Sequence, residues 1–370
     1  MSERWSMRVA LLAVCTTVAA PDARAVDVKA DLQLSSSATS NIYMDQSQEW
    51  DIAARPAAEL ALEFLDFCAV GYTGDVNAYV LHPDLLSHFH QVYLVANPAW
   101  GSDRENELVV EASVETLRNL DAYALLNYVR PVLQTRLAME PLPWLRWQVA
   151  ADGGYRWYYD DIASDSVDAW LRGQLTFMLP THTAVIPGAS YGFRYYPRQD
   201  TTVTSDVVDQ QVEVGVHLGQ GLWDLAGLQL DYGYRYAIGA SGLLLRKFTE
   251  SQFAYIGEEF FFSGHRAAVE FTQLFEFGLQ LNAVVRFEQR AYIGWPALDA
   301  TGAVLGIDRR DYRLVPAAAI AYSWTPAEED SRWIPAAGAR LEYAFVRQWS
   351  NSVWYDTFAH TVALQMWANW

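Results

Sequence analysis

The sequence predicts an all-β protein, a transmembrane antiparallel up-and-down β-barrel of about sixteen strands (roughly 14–18). Three observations carry that reading. Hydrophobic residues make up 52% of the 370-residue chain and charged residues only 19%, yet mean hydropathy is −0.03. The apolar residues are therefore dispersed, and no apolar run after residue 20 is long enough for a spanning helix. Aromatic residues reach 14%, too many for a disordered chain, and they fall on one face of a period of two. The net charge of −18 argues against a nucleic-acid partner, because a phosphate backbone would be repelled.

The first 25 residues read as a secretory signal. Arg4 and Arg8 form a basic start, Val9 to Ala20 an apolar stretch, and Ala23-Arg24-Ala25 a small-x-small cleavage box. Residues 26–370 then form a single barrel domain, with no second domain, linker or long repeat. Removing the leader takes three bases and two acids and leaves a net charge of −19. Only Cys68 remains of the two cysteines, so no intramolecular disulfide can form.

Each strand follows from the alternation. Val26, Val28, Ala30, Leu32 and Leu34 alternate with Asp27, Lys29, Asp31 and Gln33. A helix would scatter those charges over all its faces, whereas a strand gathers them on one. The same pattern returns in Leu279, Leu281, Ala283, Val285 and Phe287, and in Ala337, Ala339, Leu341, Tyr343 and Phe345. Strands are expected to start near 26, 50, 67, 88, 106, 122, 144, 167, 182, 207, 226, 265, 278, 310, 336 and 357. Short turns fall near 64–66, 140–143, 179–180 and 275–278. Longer polar links fall at 39–49, 159–166, 197–206, 239–264, 294–309 and 349–356. A barrel with short turns at one end and long loops at the other requires that asymmetry.

The chain end is the most specific local signal. Phe358, Val362, Leu364, Met366, Ala368 and Trp370 share one face of the last strand, and His360 interrupts it. This resembles the C-terminal assembly signal of Gram-negative outer-membrane barrels, with Leu364, Met366, Ala368 and Trp370 as the residues that carry it. The chain also looks like a loosely defined, porin-like group with a Thr-x-Thr strand start (Thr181-His182-Thr183) and an aromatic outer loop (Phe260 to Gly264). The resemblance implies an outer-membrane location with both termini periplasmic. It further implies outer-membrane lipid and lipopolysaccharide as surroundings, and the barrel-assembly machinery as the partner during insertion. It carries no activity and no cofactor.

Candidate chemistry is sparse. Ser263 and His265 are the nearest hydrolytic pair, without an orienting acid, so an outer-membrane enzyme is the weakest of the three function classes. His88-x-His90, with His82 and Asp84, has the spacing of a metal site, but polar residues at a rim explain it as well. Asp160, Asp161, Asp165 and Asp168 have the oxygens for Ca²⁺, but an acidic solvated loop explains them too.

The basic residues are more informative: all but Lys29 and Lys247 are Arg, which keeps its charge and forks onto carboxylates. The alternation turns Asp27, Asp31, Glu59, Asp75, Glu107, Glu111 and Glu115 inward on the early strands. It turns Arg130, Arg136, Arg146, Arg156, Arg172, Arg235, Arg286, Arg313 and Arg340 inward on the later ones. An acidic wall would then face a basic wall. Two accounts fit: the charges pair to stiffen the barrel, or they set a transverse field across a water-filled pore. The first function class is accordingly a channel for small polar solutes or ions with a mild cation preference. The second is a non-conducting or partner-gated barrel in an envelope machine with a periplasmic partner, such as a polysaccharide export port. Such a port would line its lumen with aromatics, and few are expected to face inward.

Overall fold

The computed structural model describes residues 26–42, 48–65, 67–101, 105–160, 164–198, 208–239, 262–326 and 335–370. The expected leader, Asp161, Phe260 and most of the 239–264 link lie outside them. The described residues form one antiparallel sheet that closes on itself. Its strands are β1 (Asp27–Thr39), β2 (Asp51–Phe64), β3 (Cys68–Tyr79), β4 (Ser87–Ala96), β5 (Ala99–Trp100), β6 (Asn106–Asn119), β7 (Tyr128–Leu142), β8 (Leu145–Tyr158) and β9 (Ser166–Leu179). They continue as β10 (Thr183–Tyr195), β11 (Val208–Trp223), β12 (Ala226–Gly239), β13 (Phe262–Leu274), β14 (Leu279–Leu298), β15 (Val304–Trp324), β16 (Ala336–Ser350) and β17 (Thr357–Asn369). β5 is a two-residue appendage on β6, and β4 pairs directly with β6, so the barrel has sixteen staves.

The seam closes between β1 and β17, where Leu32 meets Ala368 and Thr39 meets Thr361. Trp370 N–H donates to Ala30 O at 2.9 Å and extends the seam past the last strand. No edge is left unpaired there, which a membrane-spanning sheet requires.

Side chains obey the period of two. Leu60, Leu62, Val92, Val114, Leu133, Leu171, Val214, Leu230, Val285, Ile320 and Leu341 are exposed on the outside of the barrel. Alternate residues face inward, so the usual core is inverted and the apolar face looks out.

At the short-turn end four reversals carry a left-handed residue: Leu65 (φ 62), His182 (φ 56), Leu225 (φ 64) and Gly278 (φ 88). A side chain in that conformation costs about 1–2 kcal/mol. Only at position 278 is glycine also demanded by space, since a Cβ there would lie 2.3 Å from Ser323 O. His182 therefore belongs to a turn, and the Thr-x-Thr segment enters its strand only at Thr183.

Two boundaries differ from the alternation by six residues. The strand expected near 122 begins at Tyr128, because a short 3₁₀ segment, Asp121–Leu126, precedes it. Asn127 Oδ1 accepts the Asn119 amide at 2.5 Å and closes that loop. The link expected at 294–309 is instead the top of a hairpin, since β14 and β15 stay paired through Pro296 with Asp308 and Leu298 with Val304. Gly294 (φ 69) and Gly306 (φ 72) sit on either side of the irregular register and absorb it as bulges rather than ending the strands. The tip is tied by Asp299, whose Oδ1 accepts from Thr301 N, Thr301 Oγ1 and Ala303 N at 2.7–2.9 Å. The Thr301 hydroxyl leads in holding that carboxyl below its ordinary range.

Candidate functional site: the inner wall

The inner face is built from charges joined across strands. The cross-strand register lines up Gly154, Asp168, Arg194 and Asp209 in one lateral row over β8 to β11, and Glu115 with Arg130 over β6 and β7; Gly154 stands opposite Val132, two residues from Arg130 along β7. Arg130 holds Glu115 at 3.2 Å and also Asp168, two strands away. It reaches that far because Gly154 leaves the wall bare beneath it; a Cβ there would lie 3.0 Å from Arg130 Nε. Arg266 repeats the device, crossing Gly233 to reach Glu213, which Arg235 also holds at 3.1 Å. Near the long-loop end this lattice is dense: Asp168, Arg194 and Asp209 are 2%, 4% and 0% exposed.

Other pairs are local. Arg55 forks onto Asp75 at 3.0 and 2.9 Å, Lys29 meets Glu63 at 2.7 Å, and Arg340 meets Glu342 at 2.7 Å. Arg136 pairs with Glu107 and Arg172 with Asp152. His217 Nδ1 lies 2.7 Å from Asp231.

Between β1 and β6 the arrangement is different. Asp27 stands directly opposite Glu63, and Asp31 opposite Glu59. Like charges across a ladder repel. Lys29 relieves the first pair, and the Tyr93 hydroxyl donates to Glu59 at 2.6 Å. Glu111 accepts from Gln91 at 3.3 Å. Among the described residues Asp27, Asp31, Arg146 and Arg286 make no ion pair. Asp27, Lys29, Asp31 and Gln33 are all exposed, so solvent reaches the inner wall at β1.

Three inward aromatics sit in direct register with a glycine: Tyr93 with Gly71, Trp170 with Gly192, and Trp367 with Gly338. Each ring lies so close that a Cβ on the glycine would be 2.1–2.6 Å from it. The glycines let the rings lie flat against the wall.

No protein-family model matches the sequence, and no curated protein does. Solved structures do match in shape. The chain resembles OccAB1 of Acinetobacter baumannii at 8% identity and TM-score 0.52, over 93% of this chain and 96% of that one. It resembles a bacterial polysaccharide outer membrane secretin at 9% identity and TM-score 0.52, over 92% and 97%. The outer membrane protein opdK of Pseudomonas aeruginosa matches at 10% identity and TM-score 0.44, over 93% and 99%. The fold is that of a porin-like outer-membrane barrel.

Within this porin-like barrel the remaining sequence candidates have other occupations. His82 is 2.7 Å from Asp51 and 2.8 Å from Glu49 in the loop after β3, away from His88 and His90. His88 and His90 face outward on β4. The described residues contain no cluster able to hold a metal ion. Asp165 accepts from Tyr158 N at 2.8 Å and pairs with Arg198 at 3.2 Å, so the acidic loop is partly neutralised internally. Ser263 Oγ accepts from Ala237 N and His265 meets the Tyr232 hydroxyl; both belong to β13 rather than to a loop. Leu364, Met366, Ala368 and Trp370 lie together on the outer face of the chain end.

What the alternation missed is the pairing. The faces follow from parity, but a partner two strands away depends on register and on the glycine between. The aromatic–glycine pairs were equally hidden, because each joins residues 22 to 29 positions apart.

Proposed function

We propose that this barrel is an outer-membrane channel for small polar solutes or ions, with its long loops outward and both termini periplasmic. The observation that carries the reading is a closed sixteen-stave barrel whose inner wall is charged and, along β1, open to solvent. Sixteen strands are about the number at which a barrel encloses an aqueous channel. The acids of β1 to β6, Asp27, Asp31, Glu59, Asp75, Glu107, Glu111 and Glu115, form one wall of the path. Arg130, Arg136, Arg146, Arg156, Arg172, Arg235, Arg286, Arg313 and Arg340 form the other. Because about half of these charges are ion-paired with neighbours, the field across the lumen is weakened and the preference for cations mild. No enzymatic role is proposed.

Single-channel recording in planar bilayers tests this. Discrete open steps from the purified full chain support it, and a silent barrel at any voltage overturns it. A second reading, an export port for a polysaccharide, draws on Tyr93, Trp170 and Trp367, since flat aromatic faces suit sugar rings. A silent barrel that binds a periplasmic partner would favour that reading.

A further inference from the structure

The outer face carries a polar device that neither conduction nor barrel closure uses. Tyr72 and His90 lie on this face, hydroxyl to Nδ1 at 2.6 Å, and His90 Nε2 lies 2.9 Å from His88 Nδ1. When the Tyr72 hydroxyl donates to His90, His90 donates in turn to His88, and the relay ends on the Nε2–H of His88. Two other pairs repeat the first step, Tyr232 with His265 and Tyr343 with His360, each at 2.8 Å. The geometry is shared. Each histidine stands opposite the residue two positions beyond its tyrosine: Gly74, Tyr234 and Phe345. Each is the fourth residue of a strand descending from the long-loop end.

A groove of about 540 Å³ leads to the first of these pairs. Its floor is one ladder row in which every residue faces its neighbour across a strand pair: Ala368, Leu32, Ala58, Gly74 and His90. Ala58 sinks the middle of the row, with Leu34 and Met366 forming one flank, and the Tyr72 hydroxyl lies over Gly74 where the groove ends. Four strand spacings make the row about 19 Å long. It starts near the short-turn end of β17 and finishes near the long-loop end of β4. A second groove of about 340 Å³, over Ala283 and Ala318, ends at Tyr343 of another pair.

A long, narrow, apolar trough that ends at Tyr72 and His90, with the His88 N–H donor just beyond on the same face of β4, matches an amphiphile with one chain in the trough and an acceptor group at its head. We propose that the groove from Ala368 to His90 binds one acyl chain of a lipid from the leaflet at the long-loop end. The Nε2–H of His88 hydrogen-bonds the lipid's phosphate ester. Phosphate oxygens are the strongest acceptors a membrane lipid offers to such a donor. This rests on the barrel standing in a membrane and not on its conducting.

The test is native mass spectrometry of the full chain in dodecyl maltoside with three probes: dimyristoyl phosphatidic acid, dimyristoylglycerol, and water-soluble glycerol phosphate. Phosphatidic acid is expected to be retained about tenfold more than dimyristoylglycerol, and glycerol phosphate not at all. The double variant His88→Ala with His90→Phe should bring phosphatidic acid down to the dimyristoylglycerol level. Ala58→Phe, which fills the trough without touching the inner wall, should lower retention of both lipids; Ala58→Leu replaces it if heat-modified gel migration reveals misfolding. Equal retention of the two lipids by the unaltered chain overturns the proposal. So does binding of glycerol phosphate alone, or unchanged retention in the variants.

Discussion

Asp51 gathers one loop of the barrel around a single carboxylate. It is 1% exposed and accepts the amides of Val80, Leu81 and His82 at 3.0–3.1 Å, while His82 Nδ1 approaches at 2.7 Å. The hydrogen bond to Asp51, and then the one to Glu49, raise the His82 pKa above its ordinary value. A histidine whose folded pKa is raised contributes stability that is complete below its unfolded pKa, about 6.5, and is lost as pH climbs through the folded value. Amide protection factors at Val80 to His82 should therefore fall as pH rises past about 6.5; protection that is flat or rises with pH would count against the clamp. Glycine 154 makes a second residue-scale case. A Cβ there would lie 2.7 Å from Pro131 O, so Gly154→Val should overpack the wall and cost about 1–3 kcal/mol in urea unfolding. Gly173→Ala, with nothing within 4 Å of the new carbon, should stay within about 0.5 kcal/mol. Equal losses at the two sites would mean that the close approach at 154 has no energetic consequence.

At the scale of the strand, parity decides which environment each side chain meets. Cys68 shares a face with Val70 and Tyr72, which are 36% and 38% exposed on the outside of the barrel. In lipid vesicles a water-soluble maleimide should label Cys68 far more slowly than in denaturant, and rapid labelling would place the β3 register one residue off. This strand was legible in the sequence because Cys68, Val70 and Tyr72 alternate with small or polar residues. Most strand starts were legible for the same reason. The two that were not fail for separate causes. Tyr128 is preceded by a 3₁₀ turn whose residues mimic the alternation, and Val304 lies between Gly294 with Pro296 and Gly306, residues that usually mark loops yet here lie in bulges. The inner charges were legible as a face but not as pairs. Nothing in the spacing of Arg130 and Asp168, or of Arg266 and Glu213, announces that a glycine on the strand between them lets the two meet.

For the whole barrel the balance of paired and unpaired charge sets the expected selectivity. Ion pairs such as Arg55 with Asp75 cancel locally, leaving Asp27, Asp31, Glu59 and Glu111 on one side and Arg146 and Arg286 among the bases. Exposed charges are screened over about 8–10 Å at physiological salt, so the cation preference should fade as salt rises. Neutralising Glu107, Glu111 and Glu115 together should move the reversal potential toward anions. Replacing Arg136, Arg146 and Arg286 should move it toward cations. If neither triple variant shifts it, these side chains do not border the conducting path. The seam between β1 and β17 has a consequence in time. β1 is the first strand of the described chain, yet its second neighbour is the last, with Thr39 meeting Thr361 across 322 intervening steps of backbone. Until β17 arrives, β1 presents a bare row of amides and carbonyls, and no earlier strand pairs with it on that side. A nascent chain halted anywhere before Thr357 is thus an open ribbon and not a smaller barrel.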